Sequence, residues 1–203
     1  MNSTLEYYEA NAGAFVARSV GANMGAIYER FLQGLPEGAS LLDAGCGSGR
    51  DAKVFRSLGY PVDAFDGSAE VSRLASEHCG LDVKTMLFSE VTGKDCYDGV
   101  WACASLLHLP LKELGDALAR LWRTVRPGGC MYMSFKYGDA ERVADGRHFT
   151  DLDVCTGTDL LLALPNVFGV ESWLSPAQLG RRGPWLNLIA RRTAIQTPCN
   201  SAD

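Results

Sequence analysis

The stretch LLDAGCGSGRD, from Leu41 to Asp51, decides how the rest of the chain is read. A hydrophobic run meets Asp43, and Gly45, Gly47 and Gly49 follow at alternate positions. Glycines so placed after a strand let the backbone pass close to a ligand at the strand's carboxyl end, where doubly wound sheets bind. The dinucleotide fingerprint G-x-G-x-x-G fails here, because the third glycine comes one residue early and Arg50 holds its place. The Walker pattern fails as well, since no Gly-Lys-Ser/Thr follows.

Charge then separates the remaining ligands. Asp43 is expected to aim its carboxylate into the pocket, repelling a pyrophosphate and attracting a ligand that carries an ammonium and a sulfonium. S-adenosylmethionine carries both. Asp66 closes the next strand, a position from which an acidic side chain accepts hydrogen bonds from both ribose hydroxyls.

Outward from this loop, short β-type runs alternate with amphipathic helical segments, the pattern of a parallel sheet covered by helices. A helical N-terminus is expected over roughly 3–33, before the turn LPEG. Strands are expected in ASLLDAG, YPVDAFD, LDVKTMLF, YDGVWACAS and CMYMSFKYG. SGRDAKVFRSLG reads as a helix closed by Gly59, and SAEVSRLASEHCG as one capped by Ser68 and ended by Gly80. Leu111, Leu114, Leu118, Leu121, Trp122 and Val125 form one helical face, stopped by Pro127-Gly128-Gly129. A polar loop, a short helix near DLDVCTGTDLLLAL and two last strands, VFGVESWL and WLNLIARR, complete the chain, the two strands joined by the hairpin-type connection SPAQLGRRGP.

DAGCGSGRD together with Asp66-Gly67-Ser68 resembles motif I and the second-strand acidic residue of class I S-adenosylmethionine-dependent methyltransferases. YDGVWACASLLHLP resembles the family's fourth strand and following loop, and LWRTVRPGGCMYMSF its helix, turn and fifth strand. The likeness covers about residues 35–137, with the small single-domain enzymes of the tellurite-resistance and ubiquinone-pathway type as the nearest subgroup. It implies a single α/β domain over 1–203: a Rossmann-like, doubly wound, seven-stranded sheet with an antiparallel C-terminal strand. It also implies an N-terminal helical lid over 1–34; residues 194–203 read as a loose tail.

The resemblance further implies that Asp43, Gly45, Cys46 and Gly47 line the methionine half of S-adenosylmethionine, whose product is S-adenosylhomocysteine. Asp66 would hold the ribose with Gly67 and Ser68 beside it, Phe88 and Ser89 the adenine, and Cys103 and Ser105 the amino-acid moiety. In the leading helix, Tyr7, Tyr8 and Phe15 are placed to cover the methyl donor and face the acceptor, and Arg18 to pair with the cofactor carboxylate.

Methyl transfer from a sulfonium needs alignment and water exclusion, and a base only when the acceptor must lose a proton. His108, in SLLHLP, is the best placed base, ahead of His78 and His148. The segment FKYGDAERVADGRHFT brings Lys136, Tyr137, Arg142, Arg147 and His148 to the carboxyl edge, with Arg181, Arg182 and Trp185 from the last connection as a rim. Arginine forks match carboxylate and phosphate, so the segment reads as an anion clamp, or, as a solvated loop, as charges paired locally with Asp139, Glu141 and Asp145.

The 203 residues carry 47% hydrophobic and 21% charged side chains and a net charge of −5, which suits one soluble domain. The sequence pI is about 5.2 and basic residues are dispersed, which argues against a nucleic-acid partner. No apolar run is long enough for a membrane span, and the polar, acidic N-terminus reads as no signal peptide. Seven cysteines without C-x2-C spacing suggest reduced cytosolic thiols and no metal site. Cys103-Ala104-Ser105-Leu106 stands where amine methylases of DNA bases carry Asn/Asp-Pro-Pro-Tyr. The expected acceptor is therefore a small molecule attacking through O, N, S or a related atom. A tRNA nucleoside is the enzymatic alternative, and a non-catalytic S-adenosylmethionine-binding protein the other; the chain reads as a monomer or a homodimer.

Overall fold

The structure, a computed structural model, describes residues 3–177 and 183–194. Seven strands form one sheet in the order β3-β2-β1-β4-β5-β9-β8. They are β1 Leu41–Ala44, β2 Val62–Asp66, β3 Lys84–Thr85, β4 Tyr97–Ala102, β5 Val125–Lys136, β8 Val167–Ser175 and β9 Trp185–Arg192. Strands β1 to β5 pair in parallel, and β9 runs antiparallel to both β5 and β8. This is the doubly wound sheet expected from the sequence, with β9 as the reversed strand. The order turns back between β1 and β4, and the glycine loop leaves β1 at that switch point, where such sheets open a crevice.

Strand alternation builds the two cores. Val100 and Ala102 of β4, Met131, Met133 and Phe135 of β5, and Leu186 and Leu188 of β9 face α5 (Leu111–Thr124) and α6 (Val154–Leu162). Leu41, Trp101, Tyr132 and Ile189 face the other way, against α2 (Gly25–Leu32) and α3 (Arg50–Ser57). There the Trp101 and Tyr132 rings stack at 4.0 Å between centroids. Helix α5 buries Leu114, Ala117, Leu118, Leu121 and Trp122, the i, i+3, i+4 stripe of an amphipathic helix. Helix α4 (Ala69–Cys79) has both expected caps: Ser68 Oγ accepts the Val71 N–H at 3.2 Å, and Gly80 turns left-handed.

Four details depart from the sequence reading. The N-terminal helix is two helices, α1 (Ser3–Ser19), kinked at Asn11, and α2. The third strand shrinks to Lys84–Thr85, because the chain turns into a 3-10 helix at Phe88–Glu90. Helix α5 stops at Thr124, and Pro127-Gly128-Gly129 lies inside β5 rather than after the helix. The polar loop after β5 is a hairpin, β6 (Glu141–Ala144) pairing antiparallel with β7 (Arg147–Thr150). Asp145 and Gly146 form its two-residue turn, both with positive φ (51° and 76°), as a type I′ turn requires.

Candidate active site

A cavity of about 900 Å³ opens at the carboxyl edge of β1, β2, β4 and β5 and is roofed by α1. Its floor at the β1 end is the glycine loop. Gly45 has φ +73°, and a Cβ there would stand 2.5 Å from the Ser105 Cβ, so no side chain fits. Ser105, buried, donates to the Ala44 carbonyl at 2.7 Å and ties the loop to the end of β4. Asp66 lines the cavity and accepts the N–H of Gly47 at 2.9 Å and of Ser68 at 3.1 Å. Burial raises its carboxyl above the ordinary range, against the pull of those N–H donors.

Asp43 corrects an expectation. It shares the strand face of Leu41, so its side chain runs beneath α3, where it is 1% exposed and accepts the Ala52 N–H at 3.0 Å. It is not part of the cavity wall. Burial, then the nearby Asp51 charge, push its carboxyl well up. Ser68 also stays off the wall as the α4 cap, with its hydroxyl given to Glu9 of α1 at 2.5 Å. Gly45, Cys46, Gly47, Gly67, Phe88, Ser89, Cys103, Ser105 and Arg18 do line the cavity.

The loop contributes a pair that sequence reasoning passed over. Arg50 grips Asp51 with two hydrogen bonds, 2.6 and 2.8 Å, and Asp51 also takes the Tyr28 hydroxyl at 2.5 Å and the Trp101 indole N–H at 2.9 Å. Burial opposes the Arg50 charge, but Asp51 more than offsets it and keeps the guanidinium charged. The signal was present in the letters, since an Arg-Asp pair follows the third glycine directly.

The other end of the cavity gathers around Phe149, which is 6% exposed. Arg147 lies over the Tyr7 ring at 4.4 Å and the Phe149 ring at 5.2 Å, and Lys136 Nζ is 4.9 Å from the Phe149 centroid. The His108 ring is 4.9 Å from Phe149. His108 Nδ1 sits 2.7 Å from the His148 carbonyl, which only accepts, so Nδ1 carries the proton. Nε2 is then the acceptor for the Tyr8 hydroxyl at 2.8 Å. Burial lowers the His108 pKa to about 4, opposed by that carbonyl and reinforced by Arg147.

Arg142 and Tyr137 do not line the cavity. Arg142 pairs opposite Phe149 in the ladder and lies over its ring at 4.6 Å, but its fork is taken by Asp151 at 3.0 and 3.1 Å; Tyr137 is 43% exposed. Ion pairing, not strand alternation, removes Arg142 from the expected clamp. His148 points to Thr150 and Glu141 at 3.0 and 3.3 Å. Arg181 and Arg182 lie outside the described residues, whereas Trp185 lines the cavity.

Residues 41–129 match the methyltransferase domain family. The fold resembles that of 1,6-didemethyltoxoflavin-N1-methyltransferase from Burkholderia thailandensis, solved with 1,6-didemethyltoxoflavin and S-adenosylhomocysteine bound. The TM-score is 0.73 at 26% identity, covering 93% of this chain and 85% of that one. These likenesses support a class I S-adenosylmethionine-dependent methyltransferase. The chain is 36% identical over 93 residues to the malonyl-[acyl-carrier protein] O-methyltransferase of Salmonella typhimurium, or 45% of this chain and 36% of the relative. It is 30% identical over 107 residues to the ubiquinone biosynthesis O-methyltransferase of Caulobacter vibrioides, 48% and 41% of the two chains. The chain thus spans less than half the length of these curated relatives.

The wall of the cavity suits S-adenosylmethionine. Two of the roughly four lone-pair sites of the Asp66 carboxylate are used by backbone N–H groups, which leaves capacity for hydroxyl donors. Met86, Leu87 and Phe88 supply an apolar slot beyond it. The one cation of the glycine loop, Arg50, is taken up by Asp51, so the loop offers no free charge to a pyrophosphate.

Proposed function

We propose that the protein transfers the methyl group of S-adenosylmethionine to a small anionic molecule by in-line displacement. The observation that carries this reading is the two-ended cavity: Asp66 and the glycine loop at one end, Lys136, Arg147 and His108 at the other. S-adenosylmethionine, when bound, supplies a methyl group already activated as a sulfonium. Asp66 would hold its ribose, Phe88 and Ser89 its adenine, and Gly45, Cys46 and Gly47 its methionine end, with Arg18, Cys103 and Ser105 beside it. Asp43 and Ser68 would act through the backbone, by fixing α3 and α4.

The other residues orient the acceptor and exclude water. Tyr7, Tyr8 and Phe15 roof the cavity from α1, and Lys136 and Arg147 present positive charge to the acceptor. His108 keeps a fixed tautomer with Nε2 toward Tyr8, so any proton released after transfer would pass to that pair. The curated relatives are O-methyltransferases of malonyl-[acyl-carrier protein] and of ubiquinone biosynthesis, and no helix among the described residues is long and apolar enough to cross a membrane. Both fit a protein working in the cytosol.

Calorimetry tests the cofactor end. Asp66→Ala should weaken S-adenosylmethionine binding by a factor of ten or more, the cost of about 1.4 kcal/mol or above expected for lost charge-assisted hydrogen bonds. NADH should give no binding heat. Unchanged affinity in the variant, or binding of NADH in place of S-adenosylmethionine, would sink the assignment.

A further inference from the structure

The acceptor end holds cations but no strong base. His108 has both ring nitrogens engaged, and with its pKa near 4 it is about a millionfold too weak to ionise a phenol of ordinary pKa ~10 before transfer. Asp145 is on the hairpin turn beside Arg147, and Glu113 and Asp116 are on α5, the helix packed against the Phe88–Glu90 turn. The Cys103 thiol, pushed up to about 12 by burial, stays protonated.

Arg147 is short of partners. Its side chain is 17% exposed, its Nε–H is buried without an acceptor, and its ion-pair partner Asp145, at 3.3 Å, is 79% exposed. A buried charged donor left unsatisfied is unfavourable until an acceptor arrives. The guanidinium lies over the Tyr7 and Phe149 rings at the cavity wall. Its fork of donors there matches the two oxygens of a carboxylate.

We propose that the acceptor is a small carboxylate that brings its own negative charge and leaves as a methyl ester. This rests on the methyl-transfer reading above and names its substrate class. Arg147, with Lys136 nearby, holds one carboxylate oxygen. The other oxygen donates an electron pair to the methyl carbon and forms the new O–C bond. The C–S bond breaks with its pair going to sulfur, giving neutral S-adenosylhomocysteine and a neutral ester, and no proton moves. A base is then superfluous, which agrees with the pairing of both His108 nitrogens.

The test begins with the full chain saturated with S-adenosylhomocysteine and titrated calorimetrically with benzoate, phenylacetate and hydrogen succinate. Their amides, phenol and phenylphosphonate serve as comparisons. At least one carboxylate should bind tenfold or more tightly than its amide, and Arg147→Gln should abolish that preference while S-adenosylhomocysteine affinity stays within twofold. Arg147→Lys, which keeps the charge but loses the fork, should retain only part of it. With S-adenosylmethionine, a carboxylate that binds should yield a base-labile methyl ester at a kcat/KM flat between pH 6 and 9. Equal binding of acids and amides, or preferred binding or methylation of phenol or phenylphosphonate, would overturn the carboxylate while leaving methyl transfer standing. Failure of S-adenosylhomocysteine itself to bind would instead remove the methyltransferase reading.

Discussion

At the scale of single residues, Asp51 and His108 show how burial turns ordinary side chains into commitments. Asp51 accepts four hydrogen bonds from Arg50, Tyr28 and Trp101, and the Arg50 side chain is only 17% exposed. Removing one partner of a buried pair leaves the other uncompensated, typically at about 3–5 kcal/mol. Asp51→Ala should therefore lower the urea-unfolding free energy by about that amount; a loss below about 1 kcal/mol would mean that the pair is not an anchor. His108 behaves in the opposite sense. Its folded pKa, about 4, lies below the ordinary value near 6.5, so between those values the unfolded chain binds more protons. Stability then rises with pH through that window: the His108 contribution is complete above about pH 6.5 and is lost as pH falls toward 4. A shift of this size corresponds to at most about 3 kcal/mol. Urea titrations at pH 4.5 and 7 should show the difference shrinking in His108→Asn, and an unaltered pH dependence would count against a depressed His108.

Among the elements, α1 is the one that touches both ends of the cavity. Glu9 accepts from the Ser68 hydroxyl and the Glu70 N–H at the start of α4, where an anion is favoured by the helix N-terminus. Five residues earlier, Thr4 Oγ1 accepts the His148 N–H at 2.9 Å, and Tyr7 and Tyr8 meet Arg147 and His108. Glu9→Ala should loosen the α4 anchorage alone. Hydrogen exchange of the 5–10 amides should quicken severalfold and S-adenosylhomocysteine should dissociate faster; equal exchange and equal off-rate would show that the contact does not hold the roof. The hairpin β6–β7 was hidden in the sequence for a nameable reason. Its Asp145-Gly146 turn is a strong hairpin signal, but the flanking ERVA and RHFT lack the apolar alternation of a strand. They pack through Phe149, with Arg142, Lys136 and Arg147 arrayed around its ring, a pattern that composition reads as a charged loop.

Over the whole molecule, the parallel strands were legible because each is a short buried run between turn residues, and β9 because WLNLIARR alternates against two neighbours. The cavity's lining by Gly45, Gly47 and Asp66 followed from position along the chain, since a strand end fixes where the next residue goes. What escaped was orientation. Asp43 was two residues from the loop and still on the wrong face, as its parity with Leu41 dictates. Arg142 and Arg147 were given one role, although Arg142 is taken up by Asp151 and only Arg147 lines the cavity. The Arg50–Asp51 hub draws on α2, α3 and β4, and contacts so distant in sequence leave no local pattern.

The hairpin has a consequence for how such a catalyst changes. The cofactor end is built from residues before position 106, whereas Lys136, Arg147 and Phe149 come from a span of fourteen residues outside the β1–β4 half of the sheet. That span leaves the main sheet after β5 and returns at Leu152, where Gly138 N–H reaches the Leu152 carbonyl at 3.2 Å. On the proposed reading, the positive charge that meets the acceptor is thereby concentrated in a short, replaceable cassette. Its letters can drift, or be exchanged by design, while the glycine loop and Asp66 are left as they were.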